Sequence, residues 1–116
     1  MGICRDSDSQ EIDLIKEMAE ALGSTGIRLE KILEQVETAR RNMDHLLGLY
    51  EGNGDNGSCP DLATVNESVR DYNRLIDKAE DALRWLLIQR EACGFRTHRD
   101  VDVHYPVPAK VKLRKP

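Results

Sequence analysis

Aromatic side chains are scarce in this 116-residue chain: one Trp, three Tyr and one Phe, 4% of the residues. A thick core filled by large rings is therefore excluded. The 33% of charged residues points instead to amphipathic helices with thin apolar seams. Long apolar runs are missing too. No stretch approaches the roughly 18–20 uncharged residues of a membrane-spanning helix, so no membrane partner is expected. Residues 1–10 hold no apolar core of a secretory signal. Met1-Gly2 with Cys4 is only a partial acylation start, since position 6 is Asp6 instead of Ser or Thr. The three cysteines, Cys4, Cys59 and Cys93, are odd in number and form no CxxC pair. They read as free thiols in a reducing compartment, so a cytoplasmic location is expected.

Catalytic signatures are equally absent. The chain has no phosphate loop, no nucleophile elbow and no HExxH pair. No cofactor is implied, and His45 falls on an outer helix face with no acid or base nearby in sequence.

What the chain does have is two long heptad seams. Ile15, Met18, Leu22, Thr25, Leu29, Ile32, Val36, Ala39, Met43, Leu46 and Tyr50 fall at alternating steps of three and four. Leu62, Val65, Val69, Tyr72, Ile76, Ala79, Leu83, Leu86, Arg90 and Cys93 do the same. A mean step of about 3.5 residues keeps one helix face on a partner over many turns. The pattern predicts an all-α fold: a long antiparallel, coiled-coil-like helical hairpin. Residues 1–8 read as an N-terminal tail, 9–93 as the hairpin (helix 9–51, loop 52–61, helix 62–93), and 94–116 as a basic C-terminal arm.

Local signals mark the boundaries. Asp8 with Glu11 suits a helix start, and so does Thr64 with Glu67. The run Gly52–Gly57 is a dense breaker, Pro60 suits a first turn, and Gly94 suits a helix stop. Gly23-Ser24-Thr25-Gly26 falls inside the first helix, each glycine costing about 1 kcal/mol against alanine. The seam keeps its phase from Leu22 to Leu29, which favours one helix, weakened or kinked there, over two separate ones.

The short loop places Tyr50 across from Leu62 and Cys93 near Ala19. The first helix then overshoots by about ten residues, roughly 15 Å, leaving Ile12 and Ile15 to be covered. More apolar surface remains than one hairpin buries. Around Trp85-Leu86-Leu87-Ile88 the second helix is apolar nearly all round, and Trp85, Ile88 and Ala92 form a second stripe. The expected partner is a second copy, giving a homodimeric four-helix bundle, with another protein as the alternative.

From Val101 to Arg114 apolar and polar residues alternate with period two, interrupted on the polar side by Pro106 and Pro108. That pattern predicts an extended arm, either an edge strand or a segment laid along helices. Val103, Tyr105 and Val107 are expected to pack on Trp85, Ile88 or the overhang of the first helix, in the same subunit or in a partner copy. Charge favours contact between arm and body. Residues 1–93 hold 11 Lys/Arg against 19 Asp/Glu, while residues 94–116 hold 6 against 2, closing on the net −4 of the chain. An acidic body repels phosphate backbones, so nucleic acid is not an expected partner.

The leading functional reading is a non-catalytic protein–protein interaction or scaffold module. Two alternatives have residues attached. One is a ligand-binding bundle: Arg90, Gln89 and His98 could receive a small anion, or Cys93, His98 and His104 could hold a metal. The other is a small bundle enzyme acting on an acidic substrate. Only Arg90 among the seam residues is charged, which weighs against the enzyme. Its simplest role is an ion pair with Glu17 or Glu20.

Overall fold

The computed structural model describes the backbone of residues 2–52 and 59–116, and side chains from residue 12 onward within those ranges. The elements are α1 (Gly2–Tyr50), α2 (Leu62–Ala92) and a short α3 (Arg99–His104). All regular structure among the described residues is helical, and α1 and α2 pack against each other as an antiparallel hairpin. The molecule measures 81 × 21 × 20 Å. Among the described residues no helix is long and apolar enough to cross a membrane.

Two differences from the sequence reading concern boundaries. The helix of α1 runs back to Gly2, so residues 2–8 are helical and not a separate tail. The suggested Asp8–Glu11 cap and most of the breaker run lie outside the described side chains and backbone. At α2 the capping residue is Asp61, not Thr64: its carboxylate accepts a hydrogen bond from the Thr64 amide at 3.0 Å. Hydrogen bonding to the Thr64 side chain first, and to its amide second, holds the Asp61 carboxyl below its usual range.

The end of α2 is closed by Gly94, whose φ of +96° belongs to the left-handed region. The Phe95 amide donates to the Arg90 carbonyl and the Gly94 amide to the Glu91 carbonyl, each at 3.0 Å. This is the paired bonding of a Schellman stop. The contact that usually accompanies it is made by a cation over a ring: the Arg90 guanidinium carbon lies 4.5 Å from the centre of Phe95.

The helix of α1 is continuous through Gly23–Gly26. The two glycines have different surroundings. A Cβ on Gly23 would meet nothing within 4 Å, whereas one on Gly26 would meet the Tyr105 hydroxyl at 2.9 Å. Gly26 is thus a notch in the helix that lets the C-terminal segment approach.

The core is a row of interlocked heptad positions. Leu29, Val36 and Met43 from α1 meet Val65, Val69, Tyr72, Ile76, Ala79 and Leu86 from α2. Leu29, Val65, Val69 and Ile76 are wholly buried, each contributing about 1.5–3 kcal/mol of burial. The stripe on α1 is turned relative to the predicted seam. Gly26 and Leu47 are buried, while Thr25, Ile32, Ala39 and Leu46 are only half-buried. The buried stripe has rotated toward the side where the arm lies. At the other end the overhang stays open, with Ile12 and Ile15 each 65% exposed.

Two predictions follow from these local geometries. Gly23→Ala is expected to raise stability by about 1 kcal/mol through helix propensity. Gly26→Ala should fall short of that gain because Tyr105 must shift, and adding Tyr105→Phe should recover part of it. Urea denaturation of the four proteins checks the order. Asp61 supports α2 when ionised, and its folded pKa is lowered, so this support is complete above the ordinary value near 3.8 and is lost as pH falls through the lower folded value. The Thr64 amide proton shift should follow that titration, and Asp61→Asn should cap α2 without the pH dependence.

Candidate functional site

A helical hairpin has two flanks, and this one treats them differently. One flank is closed by the C-terminal segment. Residues 95–98 leave α2 without regular structure, α3 seats Val101 in the core at 3% exposure, and residues 106–116 then run without helix or strand toward the loop end of the hairpin.

The segment is fastened by two asparagines of α2. Asn73 receives the Val111 amide on Oδ1 at 2.9 Å and donates from Nδ2 to the Val111 carbonyl at 2.8 Å. Asn66 repeats the arrangement with Arg114, at 2.8 and 3.0 Å. Each side-chain amide therefore does for the arm what a neighbouring strand does in a sheet. The spacing explains why two such clamps fit. Seven residues of α2 rise about 10.5 Å, and three residues of extended chain rise about 9–10 Å. One heptad of helix matches one three-residue step of the arm.

Charge and apolar contacts complete the fastening. Lys110 pairs with Asp77 at 2.5 Å and Arg114 with Glu51 at 3.3 Å. The Asp77 partner holds the Lys110 ammonium above its ordinary value near 10.5. Tyr105, Val107 and Val111 are half-buried against the core cluster.

This arm departs from the predicted one in two ways. Residues 99–104 are helical, so Val101 points inward while Val103 is 77% exposed. Beyond them Val107 and Val111 are half-buried, but Ala109 is exposed and Leu113 is 45% exposed. The period-two face is therefore used only in part: beyond α3 the half-buried residues all lie on its apolar side, and every even position is exposed. The expected docking on Trp85 and Ile88 is also absent. Trp85 is 62% exposed, Ile88 48%, and Ala92 lies open beside them.

The other flank is an open groove. Its two concavities, about 520 and 900 Å³, share Gln35 and run from Thr25 to Asn42 on α1 and from Ser68 to Gln89 on α2. Small or half-buried residues line it, with Ile32, Ala39, Ser68, Leu75 and Ala82 among them. The buried Ser68 hydroxyl is satisfied locally, donating to the Val65 carbonyl at 2.6 Å. The rim carries Arg28, Lys31 and Lys78 against Glu34, Asp71 and Asp81, so its charge is balanced. Trp85 lies at one end of this groove.

The residues proposed from sequence as a ligand or metal site are only partly brought together. Arg90 Nε donates to His98 Nδ1 at 3.3 Å and Nη2 to the Thr97 carbonyl at 3.2 Å. His98 Nδ1 is the acceptor, so Nε2 carries the proton and faces Glu91 at 3.3 Å. Arg90 thus binds the chain reversal after α2, where Glu17 and Glu20 were expected as its partners. The Gln89 side chain is turned away, 2.5 Å from the Thr25 hydroxyl. Cys93 is half-buried, and His104 is exposed with its ring edge-on to Tyr105. Among the described residues no three His, Cys, Asp or Glu side chains gather to hold a metal ion.

Asn66 and Asn73 escaped the sequence reading, and Gly26 entered it only as a weak point of the first helix. The available signal was two asparagines one heptad apart on the flank of a seam, in a helix whose other positions favour better helix formers. Comparison of the chain with family models, with characterised proteins and with solved structures finds no match.

Removal of one clamp has a calculable effect. Asn73→Ala deletes two neutral hydrogen bonds, so a loss of about 1–3 kcal/mol is expected. Urea denaturation measures it, and trypsin cleavage at Lys110 and Lys112 should accelerate in parallel.

Proposed function

We propose that this protein is a non-catalytic interaction or scaffold module that docks a helical partner in the open groove, and that the partner is a second copy of the chain. The carrying observation is the contrast between the two flanks. One is closed by the arm, whereas the other leaves Trp85, the only tryptophan, 62% exposed beside a long groove.

Size supports the reading. The hairpin is about 20 Å wide and α2 is about 46 Å long. A face of that size is about 900 Å² per copy, the footprint of an ordinary stable interface. The balanced rim charge suits self-association, since no excess of one sign opposes a like surface. Two hairpins joined on this face form a four-helix bundle with the arms outside. An enzymatic or anion-binding reading has less behind it, because Arg90 spends its hydrogen bonds on His98 and Thr97.

Sedimentation velocity tests the proposal. The expected mass is twice the 13.2 kDa of one chain, with Trp85 emission shifting to the blue as concentration rises. Trp85→Lys should yield a monomer with unchanged helical circular dichroism. A monomer at every concentration, with solvent-exposed Trp85 emission throughout, would remove the homodimer.

A further inference from the structure

The flank beneath the arm has the construction of a recognition site for an extended polypeptide. Asn66 and Asn73 hydrogen-bond to the backbone of Arg114 and Val111. They therefore accept any residue with a free N–H at two positions three apart. Selectivity comes from the flanks of that ladder. The core edge receives Val107 and Val111, Asp77 and Glu51 receive the two cations, and the Gly26 notch receives an aromatic hydroxyl. Covering apolar surface would call for the part-buried Asn73 pair, but not for the Asn66 pair, which holds an exposed stretch of the arm.

We propose that this groove is a docking site for an extended segment of another polypeptide, and that the arm is its resident occupant in cis. The segment it fits carries the arm's own pattern. It has an apolar residue, a second apolar residue four positions later, a basic residue immediately before that second one, and another three after it. The two clamped positions exclude proline, which lacks the N–H that each asparagine accepts. An aromatic residue two positions before the first apolar one reaches Gly26.

Because the arm is tethered, it competes at an effective concentration of order millimolar. An incoming segment therefore binds strongly only when the arm is loosened. Its attachment suits that exchange: α3 ends at His104, and residues 106–116 beyond it form no helix or strand. Val101 stays buried in the core, so α3 can hold its seat while residues 105–116 leave. This site lies on the flank opposite the Trp85 groove and does not rest on the dimer reading.

The test uses the full chain and a fluorescein-labelled peptide of residues 105–116. Two full-length variants loosen the arm: Val107→Asp with Val111→Asp, and Lys110→Glu with Arg114→Glu, the latter changing only surface charges. Fluorescence anisotropy should show saturable peptide binding to both, at least tenfold tighter than to the unaltered chain. Adding Asn73→Ala to either should weaken binding at least tenfold, a peptide with Val111→Pro should lose it, and Trp85→Ala should leave it unchanged. The proposal fails if the charge variant, helical by circular dichroism, shows no saturable binding. It also fails if binding survives Asn66→Ala with Asn73→Ala, since the peptide would then be held by apolar adhesion alone.

Discussion

Two packed helices bury only the strip along their line of contact, and each hairpin therefore carries two flanks that are half apolar and half wet. In this protein one flank is closed from within the chain. The closure depends on a match of repeats: a heptad of α-helix and a three-residue step of extended chain cover nearly the same distance. Asn66 and Asn73 exploit that match, meeting Arg114 and Val111 with a donor and an acceptor each. The arm gains satisfied backbone groups without a β-sheet. The prolines at 106 and 108 fit the same logic, because they remove N–H groups that no neighbouring strand is there to accept.

Closure on one side has consequences for the rest of the molecule. It turns the buried stripe of α1 toward Gly26 and Leu47 and leaves Ile32 and Ala39 half-buried in the groove of the other flank. It also draws the basic tail over the acidic body, where Lys110 and Arg114 find Asp77 and Glu51. Exposed ion pairs of this kind are individually weak. Their contribution is to register and selectivity, while the amide clamps and half-buried valines hold the arm down. The open flank, with Trp85 beside it, is where the proposed partner helix docks.

The helical hairpin was legible in the sequence because seam periodicity is a local property. Leu29, Val36 and Met43, and likewise Val65, Tyr72 and Ala79, announce a buried face whatever they are packed against. The continuity of α1 was legible for the same reason, since the seam holds phase across Gly23–Gly26. The partners of polar side chains were not. Arg90 could be recognised as needing a partner, but His98, Thr97 and Phe95 become its neighbours only because Gly94 reverses the chain. The pattern of the arm misled in a related way. Strict alternation implies a flat surface, and the surface it actually meets is the groove between two helices.

Composition and periodicity by themselves determined the class of the fold, its two long helices and the surplus of apolar surface, because these depend on which residues recur and how often along one chain. Tertiary structure alone decided which flank is covered, what Arg90 and Asn73 are bonded to, and which side chain the space at Gly26 receives. Those outcomes depend on distances between residues tens of positions apart. Such distances are set only when the repeats of a helix and an extended chain are laid side by side.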